Sequence, residues 1–205
     1  MLEKLAYSLG RNDEEPNIEL AKELVKSKNK KGIKEIVDGL KNPKEQIVND
    51  CIKVLYEIAY ISPELISEYI SDFIQLLKSR NNRLVWGSMI ALSKIISHNP
   101  DEVFKNLDII IRAYEKGSAI TRDNSISVFA ELVKAGKKYE NKVFPIIIKH
   151  LEKCRPREVG QHAERAFVCI NKNNLKIFKE TLLKRRESLT EAQKKRVDKL
   201  LKNLE

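Results

Sequence analysis

The 205-residue chain holds only seven glycines, six prolines and one tryptophan, and its three cysteines lie far apart. So few backbone breakers over this length argue against a loop-rich or all-β protein and favour helices. Strand signals are weak, because the Val- and Ile-rich stretches keep spacings of three and four residues and never alternate for long. No apolar run approaches the roughly 18 residues that cross a bilayer, so no membrane association is expected. Cys51, Cys154 and Cys169 are odd in number and form no CxxC pair. They make no disulfide framework and suit a reducing compartment. The opening MLEKLAYSLGRNDEE turns acidic where a signal peptide needs an apolar stretch and a cleavage site. That predicts a soluble, cytoplasmic protein.

Chemical motifs are scarce as well. A nucleotide loop needs glycines so that backbone N–H groups can wrap phosphate, and AGKK at 135–138 is only a helix-end glycine followed by lysines. The carboxylate pairs Glu14-Glu15 and Asp101-Glu102 stand where helices should start and would offset the helix dipole. The three histidines adjoin no nucleophile within one motif, so no triad is signalled. His150, Cys154, His162 and Cys169 come nearest to a zinc set, but gaps of 4, 8 and 7 residues match no common zinc pattern. No catalytic residue, metal site or cofactor is expected, and no small-molecule substrate is evident.

What the chain does have is uneven charge and a period. Its net charge is +10. Residues 1–115 carry 17 Lys/Arg against 18 Asp/Glu, whereas residues 116–205 carry 22 against 11. Such asymmetry suggests an acidic partner for the C-terminal half, nucleic acid first among them, or else a lysine-rich solvated surface.

Segments 37 residues apart align. One column reads Ile33/Ile70/Leu107/Phe144 and the next Ile36/Phe73/Ile110/Ile147, at helical spacing. A second helix repeats Ile47/Leu84/Thr121/Val159, Cys51/Ser88/Ser125/Ala163, Val54/Ala91/Val128/Ala166, Leu55/Leu92/Phe129/Phe167 and Ile58/Ile95/Leu132/Ile170, with one extra residue in the last unit's turn. The Cys/Ser/Ser/Ala column is always small, so a neighbouring helix can come close there. The Leu/Leu/Phe/Phe column fills the gap between layers. Pro43, Pro63, Pro100 and Pro156 punctuate these helices. Each unit is thus a helical hairpin of about 37 residues that cannot bury its apolar faces alone, and stacking buries them.

Here the chain resembles the HEAT and armadillo-like helical repeats. RLVWGSMIALSKI (83–95) and PREVGQHAERAFVCI (156–170) carry the resemblance, in the order of leucine or a β-branched residue, small residue, alanine with leucine or phenylalanine, then isoleucine. The resemblance implies an all-α, right-handed superhelical solenoid of five to six hairpins. We expect one domain over 1–205: a capping hairpin at 1–31, four repeats at 32–171, and a capping hairpin at 172–205. Thr190 and Gln193 have capping-box spacing before the last helix.

In this family the second helices line a concave face, the usual binding surface. Helical geometry sets Asn49/Trp86/Asp123/Gln161, Lys53/Ile90/Ser127/Arg165, Tyr56/Ser93/Ala130/Val168 and Tyr60/Ser97/Lys134/Lys172 opposite the core columns. Trp86, Tyr56, Tyr60 and Ile90 are therefore expected to form an apolar patch edged by Arg83, Lys53 and Asp123, a composition typical of interface hot spots. Two bland arrangements compete: Trp86 packs over a neighbouring helix, or an N-terminal segment covers it. The expected function is a non-catalytic scaffold for a protein or peptide partner. The alternative is nucleic-acid binding through Lys134, Arg165, Lys172, Arg185 and Arg186, which would be salt-sensitive and little dependent on sequence. Alkylpurine DNA glycosylases of this architecture place an Asp one turn from a Trp; one turn after Trp86 stands Ile90, so that pattern is missing.

Overall fold

In the computed structural model, which describes residues 1–204, those residues form twelve α-helices and no strand. The chain divides into two compact units, Met1–Ser125 and Ile126–Glu205. The first contains α1 (Glu15–Lys26), α2 (Lys30–Gly39), α3 (Glu45–Ile61), α4 (Ile70–Leu76), α5 (Asn82–Ile95), α6 (Pro100–Lys105), α7 (Leu107–Lys116) and the start of α8 (Ala119–Ala135). The second contains the rest of α8, α9 (Lys137–Lys153), α10 (Pro156–Ala166), α11 (Leu175–Arg186) and α12 (Glu191–Lys202).

The apolar columns form the core. Ile33, Ile70, Leu107 and Phe144 are buried, as are Ile36, Phe73, Ile110 and Ile147. The small column Cys51, Ser88, Ser125 and Ala163 is wholly inaccessible. Gly87, one position earlier on α5, shows how tight the approach to α3 is: a Cβ there would stand 2.6 Å from Ile52 Cγ1. Only a residue without a side chain lets the two helices pack so closely.

Helix boundaries follow local chemistry. Asn29 accepts from Gly32 N at the start of α2, Asn81 from Arg83 N at α5, and Asn99 from Glu102 N at α6. Each cap satisfies a backbone donor that has no partner within its helix. Pro100 and Pro156 occupy the first helical positions of α6 and α10, where their missing N–H costs nothing. The capping box predicted at Thr190 and Gln193 is present.

Three expectations need correction. Residues 1–14 form no helix of a hairpin: a single 3-10 turn at Leu2–Lys4 leads into turns and then α1. The middle repeats are triplets, because Pro63 and Pro100 each open a short helical segment ahead of the long pair, 3-10 turns at Pro63–Leu65 and Ser67–Tyr69 in one case and α6 in the other. In the last repeat, Phe167 and Ile170 are only half-buried, and Cys169 takes the interior position instead. There α10 ends at Ala166 and a 3-10 turn follows at Phe167–Cys169. A 3-10 turn advances about 120° per residue rather than about 100°, so the column rotates off the core.

Candidate functional site

In the first unit, α3 packs between α1 and α5. Positions 53, 56 and 60 of α3 and 83, 86, 90 and 94 of α5 run along facing stripes, as three- and four-residue spacing requires. The Tyr56 ring lies 5.6 Å from Trp86, inclined at 51°, and Tyr60 meets Tyr56 edge-on at 6.4 Å. A cation sits against each ring: Arg83 5.7 Å from Trp86, Lys53 4.8 Å from Tyr56 and Lys94 5.0 Å from Tyr60. Contacts of this kind contribute about 0.5–1 kcal/mol when exposed and about 2 when desolvated.

Glu14 closes this ladder at one end. Its carboxylate lies 3.0 Å from Lys53 Nζ and also bonds Arg83 Nη2. Lys53 holds Glu57 on its other side at 2.6 Å. Burial works against the Lys53 charge, yet hydrogen bonds to Glu57, Tyr56 and Glu14 outweigh it and raise its pKa. Burial likewise opposes ionisation of Glu14, but the bond and charge of Lys53, with Arg83 beside it, hold its carboxyl below the ordinary value. Burial pushes the Tyr56 hydroxyl up. At neutral pH the closed end of the ladder is a network of opposite charges, Lys53 and Arg83 with Glu14 and Glu57, beside the rings of Tyr56 and Trp86. Arg83 Nε is buried without a hydrogen-bond partner.

Glu14 was read from the sequence as a residue that offsets the helix dipole. It is the N-cap residue of α1, but its side chain makes no capping bond and reaches across to α3 and α5 instead. Among the predicted contact residues, Tyr60 is 52% exposed, Trp86 and Arg83 are half-buried, and Asp123 stands half-buried near the start of α8. Tyr56 and Ile90 are not surface residues: they are 5% and 7% exposed. Lys53, expected at the edge of the patch, is buried too. The expectation of an open wall failed there because α1 and the segment before it cover part of α3. The first bland arrangement for Trp86 is realised in part, since the indole packs on Tyr56 of the neighbouring helix, while Glu14 of the N-terminal segment holds Arg83 beside it. Lys94 was missed. Its sequence signal was the spacing of four residues from Ile90.

In the second unit the five basic residues proposed for nucleic acid are engaged unequally. Arg185 donates to the carbonyls of Glu152 at 3.1 Å and Cys154 at 2.7 Å, closing the end of α9. Arg186 pairs with Asp198 at 2.7 Å. Arg165 donates to Ser127 Oγ at 2.8 Å, and Lys134 reaches Glu131 at 3.5 Å. Lys172 is exposed. Four of the five therefore hold partners within the unit, Arg185 at a helix end and Arg186 in a two-bond ion pair.

The spacing that seemed wrong for a metal is folded into a cluster. His150 near the end of α9, Cys154 at its C-cap and His162 on α10 bring one potential ligand atom each within 4.8 Å of one another. His150 Nε2 and His162 Nδ1 are 2.7 Å apart. Cys169, the fourth residue of the sequence set, is not part of this cluster.

No protein-family model matches the chain, and no curated protein matches it. Solved structures do. An engineered protein aligns with TM-score 0.68 at 17% identity, covering 99% of this chain and 96% of its own. A designed armadillo repeat protein aligns with TM-score 0.67 at 15% identity over the whole of both chains. The fold is an armadillo/HEAT-like helical repeat. A third similar structure, a computationally designed armadillo repeat protein described as made for modular peptide recognition, aligns with TM-score 0.66 at 14% identity over 91% of both chains. At these identities the armadillo-like relationship is one of fold, and the side chains of the α3–α5 ladder are this chain's own.

Proposed function

We propose that the protein is a non-catalytic scaffold whose α3–α5 face binds an extended peptide or protein segment carrying acidic side chains. The observation that carries this reading is the ladder of three rings, each faced by a cation, with Tyr60 and Lys94 at its open end. Tyr60 and the half-buried Trp86 offer broad contact at low entropic cost, and the exposed Lys94 selects a carboxylate, whereas Lys53 and Arg83 already hold Glu14 and Glu57. The described peptide-recognition purpose of one armadillo design of the same fold supports the class of ligand. Three free, buried thiols support a cytoplasmic setting. Among the described residues no helix is long and apolar enough to cross a membrane.

The test is selection of a random peptide library on the wild-type protein with counter-selection on Tyr60→Ala, followed by titration of the enriched peptides while the Trp86 emission is read. Tyr60→Ala and Lys94→Glu should each weaken binding at least about tenfold, the scale of a hot-spot truncation. Enrichment that ignores both substitutions would overturn the assignment. Duplex and single-stranded DNA, titrated at low and high salt, serve as the comparison. The roles of Arg185 and Arg186 inside the second unit make tight, salt-sensitive binding the unexpected result.

A further inference from the structure

We propose that His150, Cys154 and His162 form a zinc site within the second unit. The ligand types are those zinc takes, two imidazole nitrogens and a thiolate, and they come from a helix end and the helix that follows it across a single turn. His150 and His162 are 5% and 0% exposed, so their rings are held by packing before any ion arrives. Cys154, 9% exposed, lies nearest to solvent and gives the ion its route in.

The geometry needs side-chain adjustments of about 1 Å. Tetrahedral zinc with bonds of about 2.0–2.1 Å to nitrogen and about 2.3 Å to sulfur sets its ligand atoms roughly 3.3–3.6 Å apart. The three atoms here lie within 4.8 Å of one another, so the widest separation closes by up to about 1.2 Å while the two facing nitrogens at 2.7 Å move apart by about 0.6 Å. The last carbonyls of α9 point toward this end of the helix, and the negative pole of the dipole there favours a cation. Arg185 fixes the backbone of the sulfur ligand by donating to the Cys154 carbonyl at 2.7 Å.

The protons balance simply. The two facing nitrogens now share one hydrogen, one ring donating to the other. When zinc enters, the donor ring carries its proton on its outer nitrogen instead and stays neutral. The Cys154 thiol gives its proton to solvent and binds as thiolate, so one proton is released per ion, and water completes the fourth position.

Cobalt(II) is the spectroscopic probe. The full chain, freed of metal, should bind one cobalt with a near-ultraviolet thiolate charge-transfer band and the strong visible bands of a tetrahedral ion. Zinc, which binds such a site more tightly than cobalt, should then displace it. Cys154→Ser should abolish the charge-transfer band and weaken zinc at least about 100-fold, beyond the 10–100-fold that loss of an outer hydrogen-bond partner costs. His162→Gln should weaken zinc comparably, whereas Cys51→Ser and Cys169→Ser should bind as wild type. A wild-type protein without the charge-transfer band, or a band that survives Cys154→Ser, overturns the proposal. Because serine differs from cysteine by one atom, that variant decides the matter even if His162→Gln fails to fold. Peptide selection on the first unit is untouched by either outcome.

Discussion

Replacing Glu14 with glutamine keeps the shape of the side chain and removes the charge that Lys53 and Arg83 share. Breaking a fully buried ion pair by removing one partner costs about 3–5 kcal/mol. Glu14 is far from that limit, because its side chain is 43% exposed and water screens both contacts. Treating them as two exposed pairs of about 0.5 kcal/mol each gives a destabilisation of about 1 kcal/mol. Glu57→Gln is the comparison. Its side chain is 21% exposed, and it meets the 7%-exposed Lys53 at 2.6 Å, so its removal should cost about 2 kcal/mol. Urea unfolding read by Trp86 emission reports on the unit that holds all these residues. The pH dependence has a definite sign. A carboxyl whose folded pKa is lowered contributes stability above its unfolded value and loses it as pH falls through the folded value. The difference between wild type and Glu14→Gln should therefore be full at pH 7 and shrink below the ordinary carboxylate range. If Glu14→Gln costs more than Glu57→Gln, or if its cost persists unchanged at low pH, the account of the network is wrong.

Gly87→Ala should destabilise by about 2 kcal/mol, because the new methyl meets Ile52 Cγ1 at 2.6 Å and forces α3 from α5; a variant as stable as wild type in urea would refute that packing. Thr190→Ala should cost about 1 kcal/mol by removing the capping box of α12, read as lost helical signal on heating. Burial pushes the Cys51 and Cys169 thiols up to about 12, so at pH 8 an aromatic disulfide reagent should leave both unlabelled and modify Cys154 first. Labelling of Cys51 as fast as Cys154 in the native protein would contradict the buried core.

The alignment at 37 residues made the fold legible because core positions are set by helical period, and period is local. Cys51, Ser88, Ser125 and Ala163 could be matched without knowing what they touched, and all four proved inaccessible. The binding face was legible only in part. Opposition to the core says where a residue points on its own helix, not what is laid over it. That is why Tyr60 was placed correctly at the surface while Tyr56 and Ile90 were not. Phe167 and Ile170 slipped for a smaller reason, a change of helix type that nothing in their spacing announces.

By itself, then, the sequence determined the all-helical repeat, the capping box before the last helix and most of the residues its long helices turn inward, since these depend on neighbours three and four positions away. The tertiary structure decided which distant side chains share a space. It brought Glu14 onto Lys53 and Arg83, 39 and 69 residues further along, and it set two histidines and a cysteine from a discarded pattern around one point. Contacts across such separations are fixed by the packing of whole helices, and no local spacing encodes them.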